Sequence, residues 1–515
     1  FLFPRKDTRL RATRKSHTVA QSWIQREQIK DWKHQMENGN RTDPHKHGPN
    51  TVSGDWVQQE ADSVPAMNTA SYRDRVSWWA VFYKSVPNAI GIGGMKYAFN
   101  SSEVKWRRLF WLLLILVAFC LLLYHVTNRA QYLATYPTSV DIYTNYTDVL
   151  TFPTVAFCNY NAYRYSMVAG TELEAFLNGI MFDSSFILNA SSPYASFLDS
   201  VTMSDLFIEY GHRTEQSIIN GRWRSSETLD HTNFTLKITD WGLCFVFNDA
   251  DSGDPPLTVN RPGKEQGLEL GLNVEQYESF IDSTARYSTG FQVLLYDYGT
   301  EPLITDQGFA IAPGTHTHVG VEVTETSNLE PPYGLCQDKT LKYFNNYGYP
   351  ECFIECRSDY FYNACGCKFF ALPMVTNDEE CTVLDYFLCG GEHWEGFVKN
   401  HTCDCPVPCH VRSYKPSISN TAYPSAYVES RYSSLFQFPD GFMQDNFCLI
   451  SIFFKEISIQ QVTQNVDYNF FSFLCDMGGS LGLWLGGSIL TFFELLDLFG
   501  NSIYIHSKRA PNVRK

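Results

Sequence analysis

Several kinds of chemistry are missing from this 515-residue sequence. No nucleophile stands with a base, and no catalytic metal motif emerges, so an enzyme is not expected, nor a cofactor, nor a bound metal. No internal repeat is found. No secretory signal peptide opens the chain: its N-terminus is polar and basic, and the first apolar run starts only near residue 109. The chain begins at Phe1 without an initiator Met, which leaves room for an upstream start. The first 70 residues have few apolar side chains and are expected to be mostly disordered. Positive charge is scarce over most of the chain. Residues 1–108 carry a net +8 and residues 505–515 a net +4, which leaves −27 for residues 109–504 out of a total of −15. That bulk would repel phosphate, so nucleic acid is excluded as a partner. The length itself suggests two or more structural units.

Two apolar runs are present. "LFWLLLILVAFCLLLYHV", Leu109 to Val126, has no formal charge and reaches roughly 27 Å as a helix, enough to cross a hydrocarbon core. Lys105, Arg107 and Arg108 abut it, and no polar stripe breaks it, which argues against a buried helix of a soluble protein. The second run lies in "DMGGSLGLWLGGSILTFFELLDLFG", Asp476 to Gly500, followed by the basic "HSKR" at His506–Arg509. Basic flanks put both termini in the cytosol. The expected organisation is a cytosolic tail (1–108), a first transmembrane helix (109–130), an extracellular domain (131–465), a second transmembrane helix with a pore (466–500) and a cytosolic tail (501–515). Asn145, Asn189, Asn233 and Asn400 open glycosylation sequons in the outer part, whereas Asn40 and Asn100 would face the cytosol and stay bare.

The outer part reads as strands with helical insertions. "TFPTVAFCNY" and "CLISIFFKEISI" run like strands, and "GTELEAFLNGI" reads as a helix from near Thr171 to Gly179. Fifteen cysteines crowd mostly between Cys336 and Cys409, which suits an oxidising compartment. From Cys352 their spacing is C-x3-C-x8-C-x-C-x13-C-x7-C-x13-C-x-C-x3-C. Cys403, Cys405, Cys409 and His410 could be read as zinc ligands. Outside the cell a disulfide ladder is the better reading, because the thiols would oxidise first.

This ladder resembles the thumb domain of the degenerin, epithelial sodium channel and acid-sensing ion channel superfamily. "FPTVAFCNYNAYR" (Phe152–Arg164), "PPYGLC" (Pro331–Cys336) and "DMGGSLGLWLGGSILTFFE" (Asp476–Glu494) are similar to the family's post-span strand, thumb entrance and second span. The resemblance covers roughly residues 80 to 505. It implies an α+β membrane protein with two transmembrane helices. Its large, disulfide-rich and β-rich extracellular domain would bear a finger near 165–243 and a thumb near 333–412. It also implies the pairs Cys336–Cys409, Cys352–Cys405, Cys356–Cys403, Cys365–Cys389, Cys367–Cys381 and Cys158–Cys244. Cys448 is left alone, and a buried inert thiol is expected there.

The resemblance further implies a trimer of identical or related subunits in the plasma membrane, conducting Na+ and blocked by amiloride-like compounds. Gly486, Gly487 and Ser488 would form its selectivity filter. Gly478, Gly482 and Gly486 recur every four residues, a face that lets helices approach closely in lipid. Backbone carbonyls of such a small-residue stretch can replace an ion's hydration shell. Asp476 at the outer mouth, and Glu494 and Asp497 nearer the inner one, would gather cations, since an intramembrane carboxylate is costly unless it faces water or ions. Cys475 and Gly479 join the pore and gate, with Cys475 where the family needs a small side chain for closure. Tyr333 and Tyr468 match the family's aromatic contact between thumb base and second span. The family's His-Gly before the first span is Ile90-Gly91 here, so a gating role for Gly91 lacks its imidazole.

The opening stimulus stays open between an extracellular proton and a neuropeptide, with a constitutive or mechanically gated channel as the alternative. Glu392, His393 and Glu395 in a thumb loop could titrate against the finger acids Glu172 and Glu174, and a cationic peptide would suit the aromatic surface at Phe182, Phe186, Tyr194 and Phe197. A nucleotide-gated two-span channel would need an outer lysine cluster that the −27 bulk argues against. A two-span adhesion protein would have no reason to place Glu494 and Asp497 in lipid.

Overall fold

The structure is a computed structural model that describes residues 93–100, 102–182, 188–189, 191–280, 286–371 and 379–509. The reading of the first 70 residues, Asn40, Gly91 and Phe186 lie outside the described residues. A short helix α1 (Met95–Phe99) precedes α2 (Lys105–Ala134). Among the described residues α2 is the one helix long and apolar enough to cross a membrane. It starts four residues before the expected span and ends eight after Val126, so its last turns extend past the apolar run. At about 1.5 Å per residue its 30 residues reach about 45 Å, beyond the roughly 30 Å hydrocarbon core.

The outer domain is organised by two large sheets, beside a two-stranded one that pairs Leu150–Thr151 with Thr258–Val259. Its elements in chain order are β1 (Thr138–Tyr146), β2 (Thr154–Asn159), α3 (Glu172–Phe182), α4 (Met203–Tyr210), β3 (Ile218–Trp223), β4 (Glu227–Leu229), β5 (Phe234–Thr239), β6 (Gly242–Phe247), β7 (Leu268–Asn273), β8 (Phe291–Tyr296), β9 (Phe309–Ile311), β10 (Thr315–Ser327), α5 (Tyr349–Cys365), α6 (Gly391–Asn400), β11 (His410–Ala422), α7 (Ala426–Phe436) and β12 (Phe447–Val466). A seven-stranded sheet runs β11-β10-β12-β7-β3-β4, with β1 also on β12, and a five-stranded one runs β9-β8-β2-β6-β5. β10 and β12 run parallel, and the other named pairs are antiparallel.

Both stretches read as strands are strands. β2, from "TFPTVAFCNY", is buried at all six positions because it lies inside the smaller sheet and is covered on both faces. β12, from "CLISIFFKEISI", pairs first with β7 and then with β1, so one strand joins the sheet core to the membrane end. One apolar cluster takes Phe157, Phe247, Phe291 and Val293 from the small sheet and Trp223, Leu270, Ile450 and Ile452 from the large one. Phe152 meets Trp223 edge-on at 4.8 Å, and each such ring contributes about 1.5–3 kcal/mol by burial.

A second cluster holds the finger together. Leu173, Phe176 and Leu177 of α3 pack with Leu206 and Phe207 of α4, and Val383 and Leu384 of the thumb join them. α3 does not stop at Gly179 but runs to Phe182, since Ile180 continues the packed face and outweighs the roughly 1 kcal/mol cost of a helical glycine. Tyr194 and Phe197 pack against this same cluster, so they belong to the finger core rather than to a free aromatic surface; Phe182 is exposed.

Two further expectations are corrected. "CGGEHWEGF" is helix α6 rather than a loop, because Trp394 and Phe397 stack on Phe361 of α5 and Gly390 fits against Phe369 where a Cβ would lie 2.6 Å away. The second span is not one helix over 466–500. It is α8 (Phe470–Leu485) and α9 (Ile489–Arg509), separated at Gly486–Ser488.

Candidate functional site

The helix break has a local cause. Gly486 adopts φ 66°, a left-handed conformation that glycine takes without steric cost. Its N–H donates to Gly482 O at 3.0 Å and Gly487 N–H to Leu481 O at 3.4 Å, which closes α8. Ser488 N–H then donates to Thr491 Oγ1 at 3.0 Å, which opens α9. Asn469 caps the other end of α8 by accepting from Ser472 N–H at 2.9 Å. The chain before α1 meets this break: Gly93 N–H donates to Leu485 O at 3.0 Å. Gly94, at φ 82°, lies so close to Trp111 that a Cβ would come within 2.6 Å of the ring. Gly93 and Gly94 stand two and three residues beyond Gly91.

The small face of α8 is open. A Cβ at Gly478 or Gly479 would meet nothing within 4 Å, and at Gly482 only Gly487 O of the break itself at 3.6 Å. α2 packs against α8, with His125 stacked on Trp484 at 5.8 Å, but not on those glycines. Cys475 is an exposed free thiol at the start of this segment. Asp476 accepts a hydrogen bond from Tyr468 Oη at 2.8 Å and lies 3.4 Å from Arg129 Nε of α2. Glu494 and Asp497 are exposed, three residues apart on α9.

The link between the outer domain and the spans differs from the expected one. Tyr333 packs edge-on against Tyr136 at 5.3 Å, just past the end of α2, and not against Tyr468. Tyr468 packs on Tyr132 of α2 at 5.3 Å, and Tyr132 Oη donates to Asp467 at 2.7 Å. Leu329 N–H donates to Gln464 at 2.9 Å, which ties the thumb base to β12. The last turn of α2 and the residues just after it thus provide the aromatic contacts of both tyrosines.

Disulfides join Cys158–Cys244, Cys336–Cys409, Cys352–Cys405, Cys356–Cys403, Cys365–Cys389 and Cys367–Cys381, the same six pairs that the resemblance implies. Cys356, His401 and Cys403 lie close enough to suggest a metal, but the two sulfurs are bonded to each other and offer no thiolate. Cys448 is buried, and burial pushes its thiol up to about 12. Asn145, Asn189, Asn233 and Asn400 are all exposed, as is Asn100.

Two of the acids expected to sense protons have partners close by in sequence. Glu174 accepts from Gly170 N–H at 2.7 Å within the finger, and Glu395 pairs with Lys399 on its own helix. A different carboxyl cluster lies where finger, small sheet and thumb meet. It borders a cavity of about 450 Å³ lined by Ser204, Lys237, Asp251, Glu301, Phe369 and Glu380 among others. Lys237 Nζ reaches Asp251 at 3.0 Å and Glu301 at 3.1 Å. Glu351, in the first turn of α5, accepts from Glu301 N–H at 2.7 Å through Oε1, while its Oε2 is buried with no hydrogen-bond partner. Gly348 makes room for it, since a Cβ there would sit 2.1 Å from Oε2. Glu380 accepts from Ser204 N–H at 3.0 Å and so spans thumb to finger.

Burial raises the carboxyls of Glu301, Glu351 and Glu380 above the ordinary range; Lys237 opposes this for Glu301, and backbone donors oppose it for Glu351 and Glu380. Burial also lowers the Lys237 ammonium, but Glu301, Asp249 and Asp251 together outweigh it and the net shift is upward. Both members of the Lys237–Glu301 pair rise: burial outweighs Lys237 at Glu301, and several carboxylates outweigh burial at Lys237. No sequence motif marks these residues, which come from distant segments. The weak signal was Glu351 itself, an acid set among the thumb cysteines.

Comparison with known proteins fits these features. The profile of the amiloride-sensitive sodium channel family matches residues 88–498. Acid-sensing ion channel 1C of Danio rerio is 28% identical over 429 residues, covering 78% of this chain and 80% of that protein. Acid-sensing ion channel 1 of Gallus gallus is likewise 28% identical over 429 residues, covering 78% and 81%. Acid-sensing ion channel 2 of Homo sapiens is 26% identical over 436 residues, covering 80% and 84%. A cryo-EM structure of a proton-activated chloride channel overlaps 76% of this chain and 95% of its own, at 9% identity and a TM-score of 0.31, too low to carry an argument. The chain therefore belongs to the amiloride-sensitive sodium channel family and is an ion channel protein, not an enzyme.

Proposed function

We propose that this chain is a subunit of a trimeric, sodium-selective channel of the plasma membrane, opened by extracellular protons. The observation that carries the reading is the contact of Glu351 with Glu301 across the thumb joint, both carboxyls raised by burial. A raised carboxyl holds its proton more tightly in this packed arrangement than when hydrated. Acidification through the raised values, down to the ordinary carboxylate value, therefore stabilises the packed joint against any form that wets it. The disulfide-braced thumb would pass that bias through Tyr333 to Tyr136 and along β12 to α8.

The pore reading rests on the break at Gly486, Gly487 and Ser488, whose carbonyls are released from the regular helical ladder and can stand in for water around Na+. The open face at Gly478 and Gly479 suits close approach of further copies around an axis. Asp476, Glu494 and Asp497 would concentrate cations at its two ends, with both termini in the cytosol and sugars on Asn145, Asn189, Asn233 and Asn400. The acid-sensing channels to which the chain is similar support proton gating over an amidated peptide.

The test is whole-cell recording from cells expressing this chain alone, with acid, amidated peptides and amiloride applied in turn. Acid should evoke an amiloride-sensitive sodium current, and Glu351→Gln, which fixes a neutral group in the joint, should shift its pH dependence toward less acid values. A current evoked by peptide and not by acid would overturn proton gating, and an unshifted pH dependence in Glu351→Gln would overturn the assignment of the sensor.

A further inference from the structure

Strand β10 carries His316 and His318 two positions apart, which sets both imidazoles on one face. Thr317, Val319 and Val321 fill the other face and are buried in the core. The two rings lie with centroids 3.9 Å apart, tilted by 56°. His316 Nε2 is 2.9 Å from Ser451 Oγ of β12. His318 Nδ1 is buried and has no hydrogen-bond partner. In the sheet register His318 stands beside Ser451, and Ser451 beside Glu269 of β7, so these side chains form one row on the same face.

An ordinary packed histidine does not account for this arrangement. Leaving a buried ring nitrogen unpaired costs about 1–3 kcal/mol, and a neutral His316 that donates its one N–H, on Nε2, to Ser451 has no second proton for His318 Nδ1. Protonating them is opposed as well. Burial, then the neighbouring His318, lowers the His316 imidazole to about 4, and burial and Lys264 lower His318. The charged groups around the pair are Glu269 of β7, itself held by Arg222 of β3, and Lys264 before β7; Lys455 of β12 is engaged with Glu322 of β10. The pair thus sets two imidazoles in contact, and burial disfavours the charged form of both.

We propose that His316 and His318 form a binding site for a divalent transition-metal ion that favours imidazole, such as Cu2+ or Zn2+, on the face of the seven-stranded sheet turned away from its core. Such ions bind neutral imidazole at about 2.0–2.1 Å and complete their shell with water. When His316 donates its Nε2–H to Ser451, its Nδ1 presents a lone pair, and the bond to Ser451 fixes the ring as a supporting contact does for metal-ligating histidines. His318 Nδ1 supplies the second donor. The Glu269 carboxylate offsets part of the ion's charge.

The experiment uses the purified full-length protein in detergent, with Cu2+ as the probe and Zn2+ as the competitor. The exposed free thiols Cys120 and Cys475 are changed to alanine beforehand so that sulfur takes no part. Electron paramagnetic resonance should show one Cu2+ per chain with splitting from two imidazole nitrogens, displaced by Zn2+. His316→Gln and His318→Gln should each weaken binding on the order of tenfold or more, since loss of even a supporting contact costs 10–100-fold. Unmutated protein gives an independent readout: Zn2+ should protect both rings from diethyl pyrocarbonate, read by mass spectrometry. No bound ion at one per chain, an unchanged spectrum in the double variant, or no protection of the two rings would each overturn the proposal.

Discussion

The thumb and the α8–α9 segment are built in opposite ways. Around α5, five disulfides lie between Cys336 and Cys409, and aromatic rings such as Phe361, Phe369 and Phe397 stack in the gaps. Between Phe470 and Arg509 no disulfide is present among the described residues, and the chain breaks at a left-handed glycine with open space beside Gly478 and Gly479. A covalent ladder holds one shape in water, where a small module cannot rely on its core alone. A glycine-broken pair of half-helices leaves room and free carbonyls, which lipid tolerates only where protein or water covers them. The stiff region can transmit a displacement, and the open region can respond to one.

The largest effect should come from the covalent side. Removing Cys158–Cys244, whose ends are 86 residues apart, should cost about 4–5 kcal/mol on loop entropy, against about 3 kcal/mol for Cys367–Cys381, 14 apart. Thermal unfolding of the two double-alanine variants checks the order, and equal losses would show that the ladder does not act by restricting the unfolded chain.

Next comes the joint. Gly348→Ala places a methyl 2.1 Å from Glu351 Oε2 and should destabilise the thumb by about 1–3 kcal/mol. It should also displace the carboxyl, so the acid dependence of the current should move together with the melting temperature. A lower melting point with an unchanged acid dependence would separate the sensor from Glu351.

Gly486→Ala tests the open side. A side chain at φ 66° costs about 1–2 kcal/mol, so the break should straighten and current should fall while surface expression persists. Full current in that variant would remove the break from the ion path. The smallest effect is expected at the seam between the regions. Tyr468→Phe deletes the hydrogen bond to Asp476, worth about 0.5–1.5 kcal/mol, and should change the rate of channel closure rather than its selectivity. A shifted reversal potential would place Asp476 in the filter itself.

Local chemistry made part of this readable. Six consecutive buried positions in "TVAFCN" need an apolar run, and the cysteine ladder has a spacing that chance seldom produces, so strand and thumb were legible. "GGEHWEG" was not, because paired glycines signal a turn until Phe361 supplies a surface for Trp394 and Phe397. The expectation about proton-sensing acids rests on a similarly local signal. Glu172, Glu174, Glu392 and Glu395 stand out by clustering in sequence, yet clustered acids on a helix face solvent or nearby donors.

What the sequence by itself determined is the chemistry that short range controls: an uncharged run long enough for lipid, and cysteines that oxidise outside the cell. Only the tertiary structure decided which carboxyls lose their water and which rings meet. Glu301, Glu351 and Glu380 come from three separate segments, and burial, the main cause of their raised pKa values, exists only after those segments pack. The same holds for Tyr333 and Tyr136, nearly 200 residues apart, which meet just past the end of α2. Burial and long-range contact are properties of the packed chain, since desolvation depends on every neighbour at once and no local pattern encodes it.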